Sequence, residues 1–73
     1  MIIDNTVEID SPRFGDAEYQ PDGSLVVFYR QRGGYFVIPN VSEKEFLKLQ
    51  NDPTDEAVME LYMLHRGNVV QRR

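Results

Sequence analysis

Cysteine is absent from the 73 residues, and His65 is the single histidine. Without cysteine there is no disulfide framework and no thiolate metal site, and the absence fits a reducing, cytoplasmic setting. No apolar run approaches the ~20 residues that a membrane-crossing helix needs. The opening MIIDNTVEID carries acids and lacks the basic stretch that begins a signal peptide. Cations are outnumbered, with 8 Lys and Arg against 12 Asp and Glu, for a net charge of −4. That balance argues against a general affinity for nucleic acid, which depends on neutralised phosphates. Catalytic pairs are missing too. A lone histidine with no thiol supplies no base–nucleophile couple, so the chain reads as a non-enzyme. No cofactor or metal is expected. Asp52, Asp55 and Glu56 lie close together but are placed as helix-start acids, and they fit no calcium loop.

The charge that is present is uneven. Residues 1–22 hold six acids and only Arg13, whereas residues 61–73 hold Arg66, Arg72, Arg73 and His65 with no acid. A local basic surface on an acidic protein is compatible with that distribution. The chain suits one small domain over residues 1–73, near the lower size limit for folding without staples.

Residues 1–9 read as a short strand anchored by Ile3, Val7 and Ile9. Ser11-Pro12 breaks it. Phe14 to Tyr19 reads as a second strand with a bend or bulge at Gly15. Gln20-Pro21-Asp22-Gly23-Ser24 is a turn. Leu25 to Arg30 is apolar on both faces, the pattern of a central strand. Gln31-Arg32-Gly33-Gly34 turns the chain again into Tyr35 to Ile38.

The period then changes to helical. Ser42 and Glu45 form a capping box, and Val41 and Phe46 occupy hydrophobic-staple positions, in a helix to about Gln50. Asp52 as cap and Pro53 at the first helical position restart a second helix from about Thr54 to Arg66, stopped by Gly67-Asn68. Its stripe is Ala57, Val58, Leu61, Leu64 and His65, and Met59, Tyr62 and Met63 widen it. A helix so broadly apolar is buried on two sides or shared with another chain. Val69-Val70 reads as a short strand or a docked segment, and Gln71-Arg72-Arg73 as a loose tail. The fold class is α+β: a three- to four-stranded antiparallel meander followed by one or two helices on one face.

The run YQPDGSLVVFYRQRGGYFVIPNVSEKEFLKL resembles the KTSC domain, a family named for a C-terminal domain of some lysyl-tRNA synthetases. The matching features are Tyr19, Pro21-Asp22-Gly23, Leu25-Val26-Val27-Phe28, Gly33-Gly34 and Asn40-Val41, within residues 11–50. The family's Tyr-x-Tyr strand reads Phe36-Val37-Ile38 here, and Ser42 stands where the family has proline. The resemblance implies a meander-plus-helix fold and a role in RNA binding.

Three functions follow. The first is a binding module for RNA or a ribonucleoprotein, contacted through Arg30, Arg32 and Tyr35, with Arg66, Arg72 and Arg73 adding to the surface. In alternating strands one aromatic of each neighbouring pair enters the core and its partner is free to stack a base. Mutating Arg30 and Arg32 together is expected to test this surface without greatly disturbing the fold. The alternative is a self-associating or host-interaction factor of phage type, a homo-oligomer with Met59, Tyr62 and Met63 at its interface. The third is an oligomer whose seam holds a small anion or nucleotide.

Overall fold

The computed structural model describes residues 4–72. Residues 1–3, which include the Ile3 anchor, and Arg73 lie outside them. The elements run β1 (Thr6–Glu8), β2 (Phe14–Tyr19), β3 (Leu25–Tyr29), β4 (Tyr35–Ile38), α1 (Glu43–Asn51), α2 (Asp55–Leu64), a 3-10 turn (Arg66–Asn68) and β5 (Val70–Arg72). The strands form one antiparallel sheet in the order β1-β2-β3-β4-β5. The architecture is the expected α+β meander with two helices, and the sheet has one strand more than expected. The chain returns after the helices to pair Val70, Gln71 and Arg72 with Val37, Phe36 and Tyr35. Gln71 and Arg72 are therefore strand residues and not a loose tail. Of the two expectations for Val69-Val70, the short strand holds at Val70, and a strand of three residues is too short for a two-residue period to mark Gln71 and Arg72 as part of it.

Strand parity sorts the sheet into two faces. Leu25 and Val27 on β3, with Phe36 and Ile38 on β4, point inward and are buried. Ala17 and Phe14 join them from β2, three residues apart, because the register slips between them. That slip is the bulge expected at Gly15. Ile9, Val41, Phe46, Leu49, Val58 and Leu61 complete the core from the loops and helices. Val26, Val37, Val70, Phe28 and Tyr35 take the opposite face, and none of them joins that core cluster. β3 is central in order, as its composition implied, yet among the described residues only one of its faces is covered by the core.

The helix caps hold the corners. Ser42 Oγ accepts from the Glu45 N–H at 3.1 Å, and Glu45 Oε1 accepts from the Ser42 N–H at 2.8 Å, so the capping box is complete. The second cap differs from expectation. Thr54 is the N-cap, accepting from the Ala57 N–H, while Asp52 ends α1 with its N–H donating to Lys48 and Leu49 carbonyls. Thr54 has the extended backbone of an N-cap, φ −104° and ψ 161°, whereas Asp52 is taken up in ending α1.

α2 also ends earlier than expected, at Leu64, with His65 as its cap. Val58 and Leu61 are buried, and the next inward position along that line falls to His65. Leu64 is turned outward and 70% exposed. The stripe assigned to Leu64 is corrected accordingly. Ala57, Met59 and Tyr62 pack partly buried against the core, whereas Met63 is exposed. The helix is thus buried along one broad side within its own chain.

Candidate binding surface

The Arg30–Gly34 hairpin positions most of the candidate residues. Gly33 and Gly34 take φ of 73° and 79°, a region costly for residues with a Cβ, and the Tyr29 N–H donates to the Gly34 carbonyl at 3.1 Å. The turn sets the parity of both strands. Tyr29 and Phe36 go inward, their rings 5.5 Å apart, while Phe28 and Tyr35 go outward, 5.6 Å apart.

The two arginines of the hairpin, expected to act together, have different duties. Arg30 Nε donates to the Ser11 carbonyl and Nη2 to the Ile9 carbonyl, both at 2.9 Å. Its backbone N–H also donates to the Arg13 carbonyl at 2.8 Å. Arg30 therefore closes the β1–β2 connection against β3. Arg32 instead lays its guanidinium over the Tyr29 ring, 4.4 Å from the centroid.

Arg72 faces outward in register with Tyr35. It also lines shallow hollows with Arg32 at the hairpin tip. Arg66 is exposed in the 3-10 turn after α2. No carboxylate pairs with Arg32, Arg66 or Arg72 among the described residues. Arg73 lies outside them.

On the inner face, Tyr62 meets Phe36 edge-on at 5.4 Å and 86°. With Met59, Phe14, Tyr29 and Arg32 these rings wall a cleft of about 490 Å³ between α2 and the hairpin end of the sheet. Among the described residues no carboxylate lines this cleft, although the chain is acidic overall. Arg32, expected on an RNA surface, and Met59 and Tyr62, expected on a self-association surface, therefore share one site. Tyr35 and Arg72 are on the opposite face, and Met63 stands apart on α2.

The open outer face has a graded character. At its β1–β2 side lie Thr6, Glu8, Asp16 and Glu18, which share the outward parity. Its middle is Val26, Phe28, Tyr35 and Val37, and its β5 side carries Val70 and Arg72. Phe28 is 39% exposed and Val70 41%.

Several groups in the chain are structural. His65 Nε2 lies 3.2 Å from Glu45 Oε2 and links the end of α2 to the start of α1. Burial alone pushes the Glu45 carboxyl up, but the Ser42 N–H and His65 hold it below the ordinary range. Arg13 and Ser11 hold the Asp55 carboxyl down. Burial, then the nearby Glu43, Glu45 and Asp22 charges, raise the Tyr19 hydroxyl. Among the described residues no three acids or histidines come together as a metal site, and no helix is long and apolar enough to cross a membrane.

Residue-type reasoning missed Gln71, whose Oε1 accepts from the Tyr29 hydroxyl at 2.8 Å, and the valine row of the outer face. Strand parity carries the valine signal, since Val26 and Val37 alternate with buried neighbours. Nothing in the local sequence marks Gln71. Compared with protein-family models, curated proteins and solved structures, the chain matches none of them.

Proposed function

We propose that the domain is a small non-enzymatic binding module that acts by protein contact through the open face of its sheet. The carrying observation is the apolar row of Val26, Phe28, Tyr35, Val37 and Val70, which no element among the described residues covers and in which Phe28 and Val70 are exposed. Apolar patches of this kind mark partner sites. The favoured occupant is a second copy of the chain. A two-fold axis along the strands lays β1 of one copy over β5 of the other. Glu8 and its neighbouring acids then face Arg72, at both ends of the contact. The patch is small, so the dimer is weak and concentration-dependent. A cytoplasmic setting and the KTSC-like reading belong to the same proposal.

Sedimentation velocity over a rising concentration series tests it. A shift toward dimer is expected, lost in Phe28→Glu and weakened in Arg72→Glu. Adding Glu8→Arg to Arg72→Glu restores the dimer, because both contacts reverse together. A clean monomer at the highest concentration overturns the reading.

RNA binding is the second reading, supported by the Phe28–Tyr35 ring pair beside Arg72. Three carboxylates on the same face oppose a polyanion, which places it second. A labelled single-stranded RNA at low salt tests it. Binding lost in Tyr35→Ala, by about 1–3 kcal/mol as for a stacked base, would raise it to first.

A further inference from the structure

We propose that the free edge of β5 and the cleft beside it form one site for an extended peptide of another protein, added as a sixth strand. The peptide places a large apolar side chain in the cleft and a carboxylate against Arg32. This site lies on the inner side and edge of the sheet, so it is independent of the open-face contact proposed above.

The first observation is the edge itself. β5 pairs only with β4 among the described residues, in an unbroken register, and all three of its residues are exposed. Val70, Gln71 and Arg72 include no proline and no lysine, and no bulge twists the strand away. Such an edge offers a row of N–H and C=O groups to an incoming strand.

The second is what lies next to that edge. Cross-strand partners share a face. The inward row runs Val7, Ala17, Val27, Phe36 and Gln71, and the cleft meets it at its β4–β5 end, where Phe36 and Gln71 line the space. A residue paired with Gln71 on a sixth strand would point to that same side. There it would meet Phe36, Tyr62 and Met59, which wall a space of about 490 Å³. Gln71 also lines that space, and its Oε1 is engaged by the Tyr29 hydroxyl, while its amide N–H groups have no partner among the described residues.

The third is charge. Arg32 lies over Tyr29, beside both Gln71 and Arg72, with no carboxylate partner among the described residues. The other edge of the sheet, at β1, is flanked by Asp4, Glu8 and Asp10. An acidic peptide is therefore drawn to the β5 edge and repelled from the β1 edge. Backbone pairing supplies affinity, the cleft selects an apolar residue, and Arg32 selects an acid.

The probe is a short fluorescent peptide with one central phenylalanine, a glutamate two residues away on either side so that acid and ring share a face, and valines between them, titrated into the full chain and followed by anisotropy and amide NMR. Saturable binding is expected, with the largest amide changes at Val70, Gln71 and Arg72. Affinity should fall about tenfold or more in Arg32→Glu, and in peptides with phenylalanine replaced by alanine. A peptide with prolines at alternate positions should not bind, because it cannot complete the ladder. Arg32 is exposed at a hairpin tip, so its variant keeps the fold, which the NMR spectrum checks. No binding overturns the proposal, as does binding that survives the prolines or maps to Phe28 and Tyr35. A β5 edge already covered by a second copy in the free protein also overturns it. Dimerisation lost in Phe28→Glu with peptide binding retained separates this site from the open-face reading.

Discussion

Ser11 Oγ donates to Asp55 Oδ1 at 2.6 Å across 44 residues of chain, joining the loop after β1 to the first turn of α2. The same carboxylate receives Arg13 Nε at 3.1 Å, and its other oxygen receives Arg13 Nη2. Ser11 Oγ in turn accepts from the N–H groups of Arg13 and Phe14. Asp55 is thus a helix-start acid and the hub that fixes α2 to the sheet.

Acid should loosen that hub. Asp55 holds its proton less readily in the folded protein than in the unfolded chain, because Arg13 and then Ser11 stabilise the carboxylate. Its contribution is full above the unfolded value of about 4 and is lost as pH falls through the lower folded value. Thermal unfolding between neutral and strongly acid pH should show a smaller acid loss in Asp55→Asn than in the natural chain. An unchanged pH profile would remove Asp55 from the account.

Arg30 and Arg32 should separate cleanly in stability. Arg30→Ala removes the side-chain donor to the Ser11 carbonyl and one of two donors to the Ile9 carbonyl, which keeps the Ser11 N–H, and should cost about 1–2 kcal/mol, whereas Arg32→Ala should stay within about 0.5 kcal/mol. The double substitution, attractive from sequence, would confuse fold with binding. Urea titration of the two single variants measures the difference.

Tyr19→Phe tests a second long-range tie. The Tyr19 hydroxyl donates to the Val41 carbonyl at 2.6 Å, and its ring stacks on Phe46 at 4.9 Å and 8°. The variant keeps the stack and loses the hydrogen bond, at a cost of about 1 kcal/mol. For a domain this small that is a melting shift of roughly 4–8 °C. Calorimetry would show it.

Gly33→Ala should destabilise by about 1 kcal/mol through the backbone alone. Its φ is 73°, and a Cβ there would meet nothing within 4 Å. Because no side chain has to move, a neutral result in urea titration would show that the turn can change type. Gly15, by contrast, has no positive φ to protect.

The meander from β2 to β4 was legible because turns and alternation are local. Pro21-Asp22-Gly23 and Gly33-Gly34 fix where the chain reverses, and the strands between them are long enough to show a period. The α1 cap was legible for the same reason, since its partners lie three residues apart. Of β5, a short strand at Val69-Val70 was one of two readings, but its run through Gln71 and Arg72 was not legible, because it owes its state to pairing with β4. Nor was the end of α2, where the burial of His65 against Glu45 decides which side chains turn outward.

The candidate surfaces divide in the same way. Parity alone predicted that one aromatic of each hairpin pair would be buried, but not that no element among the described residues would cover the other face of the sheet. Arg30 and Arg32 are alike in composition and two residues apart, yet only folding brings the Ser11 and Ile9 carbonyls to Arg30. The sequence by itself determined turn positions, strand parity and the first helix cap, which depend on backbone sterics and near neighbours. Tertiary structure decided which arginine is structural, where the cleft opens and which edge is free, because each depends on groups that only long-range packing brings into contact.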